Sequence, residues 1–129
     1  MTTTLISSRT APADLKGRRV LVVGLGESGL AMARWLHQQQ AKIAVVDTRT
    51  LPPGVDALAA EVPDAEWRSR GVVLEGALIA ACLADVDLLA LSPGVAFDSP
   101  LVRAAQVREI PVWSEVDCFN VARAAACPT

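Results

Sequence analysis

The sequence predicts an α/β fold: a doubly wound, five-stranded parallel sheet in the order 3-2-1-4-5, with helices on both faces. Three observations carry that expectation. Apolar runs rich in Val, Ile and Leu alternate with helix-periodic segments along the chain. The first run, Arg19 to Val23, enters a Gly-x-Gly-x-x-Gly turn made by Gly24, Gly26 and Gly29 and continues into a helix. The second, Ile43-Ala44-Val45-Val46, ends in Asp47, 23 residues beyond Gly24. That is close to the spacing of about 20 at which a nucleotide-binding βαβ unit carries an acid. Together these make the fold Rossmann-like.

Each element has its own reason. Strand 1 is β-branched and apolar, as a strand covered on both faces must be. In the turn, Gly24 permits a tight bend, Gly26 lets phosphates touch the backbone, and Gly29 lets the helix lie close on the sheet. The first helix is expected from about Ser28 to Gln40, with Leu30, Ala31, Ala33, Trp35 and Leu36 on a broad apolar face. Strand 2 spans about Lys42 to Val46 and delivers Asp47-Thr48-Arg49 at its carboxyl end, before Pro52-Pro53-Gly54 breaks the chain. Val55 to Ala60 forms a short helix. Gly71 to Gly76 reads as strand 3, Ala77 to Ala84 as a helix, and Asp85 to Leu91 as strand 4, which ends in Ser92-Pro93-Gly94. Ser99-Pro100 opens a helix to about Val107, with Pro at the first helical position. Ile110 to Trp113 is a brief strand 5 at an edge, and a last helix is expected over Glu115 to Ala126.

Composition sets the bounds. The 129 residues are 52% hydrophobic and 20% charged, with a net charge of −2, as in an ordinary globular domain. Residues 1–14, rich in Thr and Ser, are expected to form a flexible tail, leaving residues 15–129 as one domain. Scattered arginines, only two lysines (Lys16 and Lys42) and few aromatics argue against a nucleic-acid surface. No segment has the apolar length of a signal peptide or a membrane span, so no membrane insertion is expected. Cys82, Cys118 and Cys127 contain no Cys-x-x-Cys pair and read as reduced thiols in a cytosolic protein. His37, the sole histidine, has no partner at metal-ligand spacing and reads as a solvated helix residue.

The predicted topology brings three loops to one edge of the sheet, at the crevice between strands 1 and 4. Free N–H groups and the dipole of the first helix suit a phosphate or diphosphate at the Gly24–Gly29 turn. Asp47, Thr48 and Arg49 supply an acceptor, a hydroxyl and a planar guanidinium suited to a base. Ser92, Pro93 and Gly94 line the other side. Glu27 suits the dipole but would repel a diphosphate if it pointed inward, so its side chain is expected to turn to solvent while its N–H binds.

Four stretches in order carry a resemblance. These are Val22 to Gly29, Val46 to Arg49 with Pro52-Pro53-Gly54, Leu91 to Val95, and Ile110-Pro111-Val112-Trp113-Ser114-Glu115-Val116-Asp117. Over about Leu15 to the end, the chain resembles the N-terminal domain of the Mur ligases, in the branch that adds D-glutamate during peptidoglycan synthesis. Glu27 departs from the small or apolar residue frequent in relatives, and Asp117 from the usual glutamate.

The resemblance implies a cytoplasmic, substrate-anchoring domain that grips the uridine diphosphate end of UDP-N-acetylmuramoyl-L-alanine. It implies that Gly26, Glu27 and Ser28 hold the diphosphate, that Asp47, Thr48 and Arg49 recognise the uracil, and that Ser92, Pro93 and Gly94 complete the pocket. The family's ligation runs through an acyl phosphate made with ATP and magnesium, which D-glutamate then attacks. The sequence lacks the Gly-x-x-Gly-Lys-Thr type of loop that this needs. The chain is therefore expected to be one domain of a larger enzyme, without catalytic residues, cofactor or metal of its own, and inactive in ligation alone. Two other readings stand beside it: an NAD-binding regulatory or dehydrogenase module with Asp47 on the adenine ribose, and another branch of the Mur ligases.

Overall fold

A computed structural model of the chain describes residues 15–72, 75–93, 99–118 and 120. The strands are β1 (Arg19–Val23), β2 (Lys42–Asp47), β3 (Glu66–Arg70), β4 (Leu88–Leu91) and β5 (Val112–Ser114). The helices are α1 (Glu27–Gln38), α2 (Val55–Glu61), α3 (Ala77–Leu83) and α4 (Pro100–Val107). All strand pairs are parallel, and the sheet order is β3-β2-β1-β4-β5, as expected. The winding reverses between β1 and β4, where Val23 stands beside Leu91 and the crevice of such sheets opens.

Period-two alternation along β1 divides the core in two. Val20 and Val22 join Leu30, Met32, Ala33 and Leu36 of α1 and Leu58 of α2 on one face. Leu21 and Val23 join Ile79, Cys82 and Leu83 of α3 and Leu101, Val102 and Ala105 of α4 on the other. Burying a Val or Leu side chain contributes about 1.5–3 kcal/mol, so a strand covered on both faces needs apolar residues throughout. Trp35 packs against the first cluster, as a core residue. Cys82 and Cys118 are free and buried, and burial pushes both thiols up, that of Cys118 to about 12. Cys127 lies outside the described residues.

Three elements depart from the sequence reading. The third strand is Glu66–Arg70, not Gly71 to Gly76. An edge strand keeps only part of its surface buried, so its sequence Glu-Trp-Arg-Ser-Arg lacks the apolar run that marks the central strands. Gly71, at φ +82, ends it, and Val73 and Leu74 lie outside the described residues. Strand β4 begins at Leu88 because Asp85 takes φ +61 at the end of α3, while the Asp87 carboxylate accepts the Arg19 N–H at 3.0 Å. Strand β5 begins at Val112, because Ile110 still belongs to the close of α4.

The last expected helix is helical at residues 115–118 and 120, and residues 121–129 lie outside the described residues. Its start explains Asp117. The Asp117 carboxylate accepts the Ser114 N–H at 2.9 Å, and Ser114 Oγ accepts the Asp117 N–H at 3.2 Å, a reciprocal N-terminal cap.

Helix α4 is closed by a Schellman turn. The Ile110 N–H donates to Ala105 O at 2.9 Å and the Glu109 N–H to Gln106 O at 2.9 Å, which places Glu109 at φ +59. A side chain there is strained, and a carboxylate opposes the helix dipole. Glu109→Gly should therefore stabilise the domain by about 1 kcal/mol, seen as a melting temperature raised by a few degrees in a thermal scan.

Candidate functional site

The Gly-rich turn is held from three directions. Gly24 adopts φ +88, and its N–H donates to Val46 O at 2.8 Å, which extends the β1–β2 ladder into the turn. Its carbonyl accepts the Ser92 hydroxyl at 2.6 Å, which joins the β1 turn to the β4 loop. Helix α1 starts directly against this pair. A Cβ on Gly29 would overlap the Gly24 carbonyl oxygen and lie 2.8 Å from Ser92 Oγ, so only glycine fits.

Leu25 is the turn's anchor, and sequence reasoning missed it. Its side chain is fully buried in the α1–α2 face of the core. Its N–H donates to Asp47 Oδ2 at 2.8 Å, and its carbonyl accepts the Gly54 N–H at 3.1 Å. A Cβ on Gly54 would stand 3.0 Å from Leu25 Cγ. The Pro52-Pro53-Gly54 break is thus a second clamp on the turn. The available signal was an apolar residue inside a motif whose other positions are polar or glycine.

Asp47 lies at the end of β2 with a side chain only 3% exposed. Oδ1 accepts the Arg49 N–H at 2.8 Å and Arg49 Nε at 3.0 Å. Oδ2 accepts the Leu25 N–H and Arg49 Nη2, the latter at 2.7 Å. Burial pushes the carboxyl upward, but the hydrogen bonds from the Arg49 side chain, Leu25 and the Arg49 backbone, with the guanidinium's charge, outweigh it and hold the group below the usual carboxylate range. The Arg49 side chain is 53% exposed, and its Nη2 lies 3.9 Å from where a Gly26 Cβ would be.

Gly26, Glu27, Ser28, Asp47, Thr48, Arg49, Ser92 and Pro93 all lie at the carboxyl ends of β1, β2 and β4. Gly94 lies outside the described residues. Gly26 caps α1 with no side-chain bond, so the first-turn N–H groups of Glu27 and Ser28 have no carbonyl partner within the helix. Glu27 is exposed, as expected. Thr48 is exposed too, and neither its hydroxyl nor that of Ser28 has a hydrogen-bond partner among the described residues. The Ser92 hydroxyl is committed to Gly24 and braces the wall of the crevice. A groove of about 620 Å³ lined by Arg19, His37, Lys42, Asp64 and Glu66 opens at the opposite, amino end of the strands, remote from this site.

The profile of the family described as Mur ligase MurD-like, N-terminal domain matches residues 18–114. The chain belongs to that family. It is 50% identical over 106 residues to a UDP-N-acetylmuramoylalanine–D-glutamate ligase of Dechloromonas aromatica, covering 82% of this chain and 22% of that protein. It is 42% identical over 113 residues to the protein of that name from Methylobacillus flagellatus, covering 87% of this chain and 23% of that protein. The MurD-like chain thus spans between a fifth and a quarter of the length of these relatives. Among solved structures, the precorrin-2 dehydrogenase SirC is similar with a TM-score of 0.50 at 22% identity, over 80% of this chain and 47% of that one. That likeness concerns the fold.

Two outcomes test this geometry. Gly29→Ala should destabilise the domain by about 3 kcal/mol in chemical denaturation, because the new methyl meets backbone that cannot retreat. Asp47→Asn should cost about 1.5–3 kcal/mol at neutral pH, the worth of hydrogen bonds to a charged group. Because the folded carboxyl titrates below its unfolded value of about 3.9, its stabilisation is complete above that value and is lost as pH falls through the lower one. Denaturation at pH 6 and pH 3 should therefore show a larger loss in the wild type than in Asp47→Asn.

Proposed function

We propose that this MurD-like domain anchors the uridine diphosphate end of UDP-N-acetylmuramoyl-L-alanine within a cytoplasmic ligase that adds D-glutamate during peptidoglycan synthesis. The observation that carries the reading is the uncapped start of α1 beside the Asp47–Arg49 loop, at the crevice between β1 and β4. The backbone N–H groups of Glu27 and Ser28 and the Ser28 hydroxyl hold the diphosphate, which Gly26 admits for lack of a side chain. Asp47 and Thr48 receive the uracil, beside the Arg49 guanidinium that pairs with the Asp47 carboxylate. Ser92 and Pro93 form the facing wall, with Ser92 acting through the Gly24 carbonyl it holds. Names of relatives that share up to 50% identity with this chain support that ligand and that ligase.

In this reading, ligation proceeds through an acyl phosphate on the alanyl carboxylate, which the D-glutamate amine displaces. In the same reading, ATP and magnesium supply that activation outside this domain. No group of three or more His, Cys, Asp or Glu side chains suited to a metal occurs among the described residues, and no Gly-Lys-Thr loop occurs in the sequence. In this reading the residues of this chain hold and orient the substrate.

Calorimetric titration of the chain with UDP, UDP-N-acetylmuramoyl-L-alanine and NAD tests the reading. Both uridine ligands should bind and NAD should not, and Ser28→Ala should weaken UDP by about tenfold. Binding of NAD with UDP silent would instead assign a dinucleotide module.

A further inference from the structure

The four donors on Asp47 fall into two classes. Each carboxylate oxygen accepts one backbone N–H, from Arg49 on Oδ1 and from Leu25 on Oδ2. Each also accepts one guanidinium N–H, from Nε on Oδ1 and from Nη2 on Oδ2. The backbone donors are fixed by the loop and by the Gly-rich turn. The guanidinium belongs to a half-exposed side chain with rotatable bonds. If it leaves, the backbone bonds still clamp the turn, and each oxygen is left with one open acceptance.

We propose that the Arg49 guanidinium is an exchangeable occupant of the Asp47 carboxylate, closing it in the free domain and leaving when a ligand brings a planar N–H donor of its own. This rests on the reading of the crevice as a uridine diphosphate site. An imide ring such as uracil carries one such donor, and a buried carboxylate must be given a donor if it loses the arginine, because an unsatisfied buried charge is costly. Position favours the exchange. Nη2 stands beside Gly26 in the phosphate turn, so a nucleotide seated there meets the guanidinium before it reaches Asp47. The ion pair thereby reduces apparent affinity by the fraction of molecules in which it is closed.

The sign of one substitution is diagnostic. Removing a cation beside a diphosphate site should weaken binding on electrostatic grounds alone, whereas exchange requires the opposite. Arg49→Met keeps the stem and removes the fork, and it should bind UDP about two- to fivefold tighter than the wild type, the range of an ion pair whose cation is half-exposed. UDP methylated at N3 lacks the donor and should show no gain. Arg49→Lys, which keeps the charge but cannot bridge both oxygens, should fall between, and it decides the question if the Met variant does not melt as a folded protein. Unchanged or weaker UDP binding by these variants, beside a wild type that binds, would overturn the exchange and leave the uridine reading intact. If neither wild type nor variants bind UDP, the uridine reading fails and the exchange with it. Binding by Arg49→Met to a site closed in the wild type would support both.

Discussion

The site depends on a single buried charge. Asp47 sits where the burial that makes β2 a good strand would ordinarily exclude a carboxylate, and it persists there because four donors converge on it. Two of them belong to the elements it joins: the Gly-rich turn through Leu25 and its own loop through Arg49. An Asp at this place therefore does more than end a strand. It fixes the distance between the first and second loops, which form one side of the crevice.

The opposite wall follows the same economy of parts. Ser92 reaches across from the end of β4 to the Gly24 carbonyl, and Gly29 leaves room for both beneath α1. The close approach of helix to turn is what aims the first N–H groups of α1 at the crevice. Stability and ligand geometry are coupled here: the bonds that hold the turn in the folded state also set the shape of the proposed phosphate seat. The two apolar layers on either face of β1 supply the rigidity behind it.

The sheet order was legible because the central strands, buried on both faces, must be apolar, and because glycines punctuate the turn after β1. Strand β3 was not legible. At an edge it carries Arg68, whose Nη1 donates to the Ala84 carbonyl at 2.7 Å at the end of α3, so a charged residue within a strand serves packing that no local pattern reveals. The convergence of the candidate loops was legible, but the divisions among their residues were not. Gly29 and Gly24 behave as the motif implies. Leu25 and Gly54 became visible only through contacts between loops far apart in sequence, as did the commitment of the Ser92 hydroxyl. Side-chain partners across loops are set by tertiary distance, which spacing along one chain does not encode.

The charge arrangement at the carboxyl end has a mechanical consequence. Asp47 and Arg49 form a compact pair, and Glu27 stands exposed at the first turn of α1. An anion seated at the turn thus meets a formally paired cation and a nearby carboxylate, and its attraction must come mainly from oriented backbone dipoles. Dipoles fixed by the fold require no reorganisation on binding, whereas a free lysine would have to be ordered. A rigid turn is then more valuable to the site than added positive charge. That accounts for why the bonds on Leu25 and Gly24 are spent on holding backbone, while the Arg49 guanidinium is held by Asp47.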